Sequence, residues 1–225
     1  MSYHSTANHI YNLLIQDIAN QEGEITFNFL NISVKINEKS AIGNLFQEWL
    51  TEWIRLKGIN FRTKINTQDF PDFLLDTSDT TGLLEVKTFN YNASANFDIA
   101  NFRAYCRSLK TEAYRLDADY LIFAYELKDY KFKVRKIWLK KIWEITGRSA
   151  DYSVKCQVKQ DEIVNIRPVV WYSKNQKARE PFKSRFDFVQ GLYETLMKYP
   201  GTQKQSSNWL ETVKDNYLYH TGEEL

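Results

Sequence analysis

The stretch PDFLLDTSDTTGLLEVK, residues 71–87, decides how the rest of the chain is read. Phe73–Leu75 is a short apolar run, and Leu83–Phe89 (LLEVKTF) is a second, β-like one. Between them, Asp76–Gly82 (DTSDTTG) is built from residues that favour turns. Two strands joined through that turn would bring Asp72, at the mouth of the first, close to Glu85 on the second. Side chains alternate along a strand, so Glu85 and Lys87 share one face while Leu84 and Val86 point to the other, toward a core. The chain holds a single Pro-Asp pair. Its other acid-x-Lys triplets, Glu126-Leu127-Lys128 and Asp129-Tyr130-Lys131, have none upstream at hairpin distance.

Outward from this segment, apolar periodicity predicts helices over residues 7–20 and 41–57. In the second, Ile42, Leu45, Phe46, Trp49 and Trp53 form a stripe that ends before Gly58. Residues 25–36 alternate as a strand or short hairpin, and residues 59–65 are a further strand candidate. A helix is predicted over 95–116. Tyr120–Leu127 (YLIFAYEL) has the near-continuous apolar character of a strand in the middle of a sheet. Farther on, Trp138–Ile145 is read as a short helix, 152–159 and 162–170 as a hairpin turning at Gln160-Asp161, and 184–198 and 207–217 as helices. The order predicts an α/β (α+β) fold: a mixed central β-sheet flanked by helices. The whole chain, 1–225, is read as a single domain with its chemistry in residues 40–127.

The rest of the composition mostly excludes. The 225 residues are 43% hydrophobic and 26% charged, enough for a core without disulfides. Cys106 and Cys156 lie far apart, which argues against a zinc site. The three histidines, His4, His9 and His220, all lie near the termini, so no anchored imidazole is expected for Ser-His-Asp or Cys-His chemistry. No phosphate loop or dinucleotide fingerprint is present. No segment approaches the length of a membrane span or has the pattern of a signal peptide, so a cytoplasmic protein without membrane association is expected. A net charge of +2 by itself implies no nucleic-acid partner.

Two carboxylates converging from neighbouring strands, with a lysine beside them, are suited to holding a hard cation and stabilising a phosphoryl transition state. Taken alone, Asp72 also fits a turn residue, and Glu85 and Lys87 a solvent-facing strand edge. With Pro71-Asp72 and Glu85-Val86-Lys87 at this spacing, the sequence resembles the PD-(D/E)xK nuclease superfamily and, within it, type II restriction endonucleases. The element order over about residues 40–127 resembles that superfamily's αβββαβ core. Within that group the resemblance is to the NgoBV-like restriction enzymes, a subfamily that no residue motif fixes.

The resemblance implies Mg2+, one or two ions, held by Asp72, Glu85 and the carbonyl of Val86. It implies that Lys87 orients or deprotonates the attacking water, or stabilises the charged transition state. It also implies a further acid on the preceding helix. Glu48 is the first candidate and Glu52 the second, and their i, i+4 spacing does not separate them.

The substrate implied is double-stranded DNA cut at a specific short site, by a homodimer whose symmetry matches a palindrome. A cognate DNA methyltransferase is the expected genetic companion. Two segments are candidates for DNA contact. Residues 128–141 (KDYKFKVRKIWLKK) carry seven Lys or Arg and one acid, and residues 174–185 (KNQKAREPFKSR) carry five and one. In the second, Lys174, Asn175, Gln176, Lys177, Arg179, Lys183 and Arg185 include types that read base edges. Both runs equally fit a solvated surface. A polar run after the motif, Asn90, Asn92, Ser94 and Asn96, could follow the DNA backbone or cap the next helix. The C-terminal part, 128–225, is thus expected to recognise DNA or dimerise. The alternatives are a structure-dependent repair or recombination nuclease of the same fold, which would give a ladder on plain duplex DNA or cut only branched substrates, and a non-catalytic DNA-binding module, which would bind without cleaving.

Overall fold

The computed structural model describes residues 2–19, 21–38, 42–66, 69–173 and 179–225. The chain forms two compact units, one from Met1–Ala95 and Asp119–Lys140, the other from Asn96–Ala118 and Lys141–Leu225. The division falls at neither end of the 40–127 segment.

The first unit is organised on a four-stranded sheet. Strands β3 (Phe73–Leu74), β4 (Leu83–Asn90), β6 (Asp119–Lys128) and β7 (Lys131–Lys141) lie side by side in that order. β3 runs antiparallel to β4, and β4 runs parallel to β6 over Leu84–Asn90 and Asp119–Tyr125. β6 is buried at nearly every position, as a central strand with parallel pairing requires. Helices α1 (Ser5–Ile18) and α2 (Ile42–Leu56) pack on this sheet. Ile10 and Leu14 of α1, with Phe46, Leu50, Trp53 and Ile54 of α2, meet Leu84 and Val86 of β4, Leu121 and Phe123 of β6, and Ile137 and Leu139 of β7. A small hairpin, β1 (Thr26–Phe29) and β2 (Ile32–Lys35), projects from the unit with every residue exposed.

In the second unit, β5 (Ala100–Asn101), β9 (Glu162–Ile166) and β8 (Cys156–Lys159) form an antiparallel sheet. Helices α3 (Phe102–Ser108), α4 (Arg185–Lys198) and α5 (Trp209–Thr221) complete the unit. Gly191 is needed in α4 because a Cβ there would lie 3.1 Å from the Ser153 carbonyl oxygen and 2.9 Å from the Phe182 ring.

Several sequence expectations change. β7 runs through Trp138 to Lys141, and only Ile142–Glu144 forms a 3-10 turn, so the helix expected over 138–145 is mostly strand. The 128–141 charge run is thus a strand with one solvated side, where Lys133 pairs with Glu22 and Arg135 with Glu126. The helix expected over 95–116 is broken into β5, α3 and a 3-10 turn at Ala113–Asp117. Of residues 59–65, Arg62 forms a bridge to Leu74. In α2 the buried stripe includes Leu50 and Ile54, while Leu45 and Trp49 stay exposed. Among the described residues, three hairpins close on two-residue turns with positive φ at both positions: Leu30-Asn31, Asp129-Tyr130 and Gln160-Asp161.

Candidate active site

The site is built where β3 stops pairing with β4. Phe73 sits opposite Leu84 and Leu74 opposite Leu83. One step further along the antiparallel register places Asp72 across from Glu85. The Val86 N–H, beyond the end of the β3 ladder, donates to Asp72 Oδ2 at 2.7 Å. The Asp72 N–H lies 3.3 Å from Glu85 Oε2. Leu84 and Val86 enter the core cluster, leaving Glu85 and Lys87 on the opposite face. There the Lys87 ammonium bonds Glu85 Oε1 at 2.7 Å. The two carboxylates and the lysine therefore meet at one end of one strand pair. A strand residue directs its N–H and C=O to the same edge, so the Val86 carbonyl also lies on the Asp72 side.

Burial makes this cluster electrostatically expensive. Glu85 is 8% exposed. Removal from water, and next the nearby Glu85 charge, push the Asp72 carboxyl up to about 7 from 3.8, against the opposing pull of the Val86 N–H, Lys87 and Gln47. Two acids in such proximity lose proton affinity when a cation stands between them. The donor set is all oxygen, which suits Mg2+, an ion usually bound through one or two carboxylates beside water and phosphate ligands. Among the described residues there is no cluster of three or more Asp, Glu, His or Cys placed to hold a metal, so a dedicated protein cage is not what this site offers.

α2 reaches the site through Gln47. Its Nε2 donates to Asp72 Oδ1 at 2.8 Å. Glu48, the acid expected on this helix, is exposed. Glu52 is an exposed ion-pair partner of Arg55. Helix geometry explains the outcome. At 3.6 residues per turn, Gln47 lies about 60° from the buried Leu50, whereas Glu48 and Glu52 each lie about 160° away, on the far side of the helix. The available signal was the burial stripe itself: a polar side chain at its margin, not the nearest acid, faces the sheet.

The expected DNA-contacting residues have mixed positions. Lys174, Asn175, Gln176 and Lys177 lie outside the described residues. Asn92 is exposed, and its Nδ2 donates to Glu126. Asn96 is exposed, and its carbonyl accepts from Arg167. Arg179 and Lys183 are exposed. Arg185 is not available to DNA. It is 4% exposed, pairs with Asp117, and stacks over Tyr217 and Trp143. Asp117 also accepts from Tyr217 Oη at 2.7 Å, so this arginine anchors the second unit's core.

Comparison with known proteins decides the family. The sequence model of the NgoBV restriction endonuclease family matches residues 4–225. The chain belongs to the NgoBV restriction endonuclease family. It is 38% identical over 219 residues to the type II restriction enzyme NlaIV of Neisseria lactamica, across 96% of this chain and 90% of that protein. To the type II restriction enzyme NgoBV of Neisseria gonorrhoeae it is 37% identical over 151 residues, 65% of this chain and 85% of that protein. The solved structure of the NlaIV restriction endonuclease superposes with a TM-score of 0.92 at 37% identity, covering all of this chain and 94% of that one. The fold is therefore restriction-endonuclease-like, and the chain is a type II restriction endonuclease, a hydrolase of a restriction–modification system. No helix among the described residues is long and apolar enough to cross a membrane.

Proposed function

We propose that this member of the family hydrolyses phosphodiester bonds of double-stranded DNA at a specific short sequence, with Mg2+, through Asp72, Glu85 and Lys87. The observation that carries this reading is the placement of two carboxylates opposite each other across β3 and β4, with the Lys87 ammonium 2.7 Å from one of them. Asp72, Glu85 and the Val86 carbonyl would hold Mg2+, which supplies a Lewis acid for the scissile phosphate and lowers the pKa of a bound water.

The chain's own groups do the rest. Gln47 Nε2 and the Val86 N–H each take one oxygen of Asp72 and fix the plane of its carboxylate. Glu85 holds the Lys87 ammonium beside the cluster. From there the Lys87 ammonium can donate to and orient a water attacking the phosphorus, and can stabilise the charge that grows on the phosphate oxygens. The core beneath Leu84 and Val86 keeps β4 fixed, so these groups are positioned before substrate arrives.

DNA contact is proposed for Asn92, Asn96, Arg179 and Lys183, and for the 174–177 segment, with Arg185 removed from that set. A cytoplasmic homodimer, with a methyltransferase protecting the host sites, completes the reading. Digestion of a plasmid of known sequence with Mg2+, followed by sequencing of the fragment ends, tests it. Discrete fragments with one common end sequence are expected from the wild type, and none from Lys87→Ala or Asp72→Ala, which should still retard DNA. A uniform ladder, or cutting that survives both substitutions, overturns the assignment.

A further inference from the structure

The β1–β2 hairpin is a surface that a soluble monomer has reason to avoid. Its register pairs Phe27 with Val34 and Phe29 with Ile32, which puts these four apolar side chains on one face. Thr26, Asn28, Ser33 and Lys35 take the other. Phe27, Phe29, Leu30, Ile32 and Val34 are each between 48% and 77% exposed. Isolated two-stranded hairpins are marginal in water, and contiguous apolar patches of several hundred Å2 mark interaction surfaces. At the tip, Leu30 takes the same positive φ as the first turn residue of the other two hairpins, and its apolar side chain is 77% exposed.

The same unit carries a matching socket. An apolar groove of about 460 Å3 is lined by Ile18, Ile25, Leu45, Trp49, Phe132 and Val134. Leu45 and Trp49, the two members of the expected α2 stripe that stay outside the core, are each 42% exposed. The groove rim holds Glu22 and Glu24, paired with Lys133 and Lys35. The one charged residue of the two strands, Lys35, lies on the face opposite the four apolar side chains and pairs with Glu24, so that apolar face carries no charge.

We propose that the hairpin of one copy of this chain docks its Phe27–Phe29–Ile32–Val34 face in the groove of a second copy, which returns its own hairpin in exchange. The inference rests on the reading of the enzyme as a homodimer and names the surface that makes it one. A chain that carries both the projection and the socket closes as a two-fold pair, each contact made twice. The five exposed side chains present about 500 Å2, taking 150–250 Å2 as the reach of a large side chain. Two reciprocal contacts, counting the smaller surface of the groove with that of the hairpin on both copies, bury about 1,300 Å2, within the range of a standard stable interface.

Sedimentation velocity on the full chain at micromolar concentration tests this. The wild type is expected at twice 26.7 kDa. Phe27→Ser with Phe29→Ser, and separately Leu45→Gln with Trp49→Gln, are expected at 26.7 kDa. Their equimolar mixture is expected to recover dimer at raised concentration, because the intact groove of the first accepts the intact hairpin of the second. Leu30→Gly guards against a folding artefact. Glycine relieves the positive φ, so this variant should melt no lower than wild type yet dissociate several-fold more readily. A monomeric wild type, a hairpin variant that stays dimeric, or a mixture that recovers nothing each overturns the proposal. Asp72→Asn, which should stop cutting and leave the mass unchanged, keeps failure of the nuclease reading distinct from failure of this one.

Discussion

Neutralising Asp72 should make the metal-free protein more stable, and the structure says by how much. Burial and the Glu85 charge raise the Asp72 carboxyl from 3.8 to about 7. For an acid, a folded-state pKa above the unfolded one means that the native state holds its proton longer. Stability is therefore undiminished below about pH 4, falls as pH rises from there to about 7, and stays reduced above. The rise corresponds to about 4 kcal/mol for an isolated group, and about 2–4 kcal/mol for a carboxyl that keeps some access to water.

Asp72→Asn removes the charge and keeps the shape. Its carbonyl can still accept the Val86 N–H, and the Gln47 amide can turn over to present its oxygen to the new NH2. Thermal melts in EDTA at pH 8 should therefore show the variant about 5–15 °C above wild type, using 2–4 °C per kcal/mol for a protein of this size. At pH 4 the two curves should nearly coincide. A variant no more stable than wild type at pH 8, or an advantage that persists undiminished at pH 4, would refute the electrostatic account of the cluster.

Other perturbations separate the roles of neighbouring residues. Lys87→Ala should reduce cleavage by about 100-fold or more while gel retardation in Ca2+ stays within a few-fold of wild type, since the loss falls on the transition state. Gln47→Ala should lower cleavage by about ten-fold by freeing the Asp72 carboxylate, whereas Glu48→Ala, on the far side of α2, should stay within about two-fold; single-turnover rates on one duplex compare them. Arg185→Met should lower the melting temperature, through about 2–4 kcal/mol lost with its ion pair to Asp117, which keeps only the Tyr217 hydroxyl, and should not change the salt dependence of DNA binding. A steeper or shallower salt slope in that variant would return Arg185 to the DNA-contacting set.

Much of the first unit was legible because its signals are strong. Alternation in LLEVKTF separates the Leu84–Val86 face from the Glu85–Lys87 face, and β4 is built that way. The apolar run of β6 and the period of α2 are equally plain. What stayed hidden depends on tertiary context. β7 looked like a charge run followed by a helix because its turn, Asp129-Tyr130, has no glycine, and because Ile137-Trp138-Leu139 has no visible period of two. The 95–116 stretch has helical periodicity, but part of it is taken up as β5, which pairs with β9 far along the chain. Gln47 carries no carboxylate and so no mark of a metal site, while the helix presents to the sheet whichever side chain lies at the margin of its buried stripe. Arg185 was placed on the surface by residue type, and only Asp117, Trp143 and Tyr217 together make its burial affordable.

Calorimetric titration of the metal-free enzyme with Mn2+, a stand-in for Mg2+ that binds oxygen sites more tightly, tests most directly whether the two facing carboxylates hold a cation. Saturable binding is predicted for the wild type and for Glu48→Gln, and its loss in both Asp72→Asn and Glu85→Gln. Binding of undiminished strength in those last two variants would contradict the account.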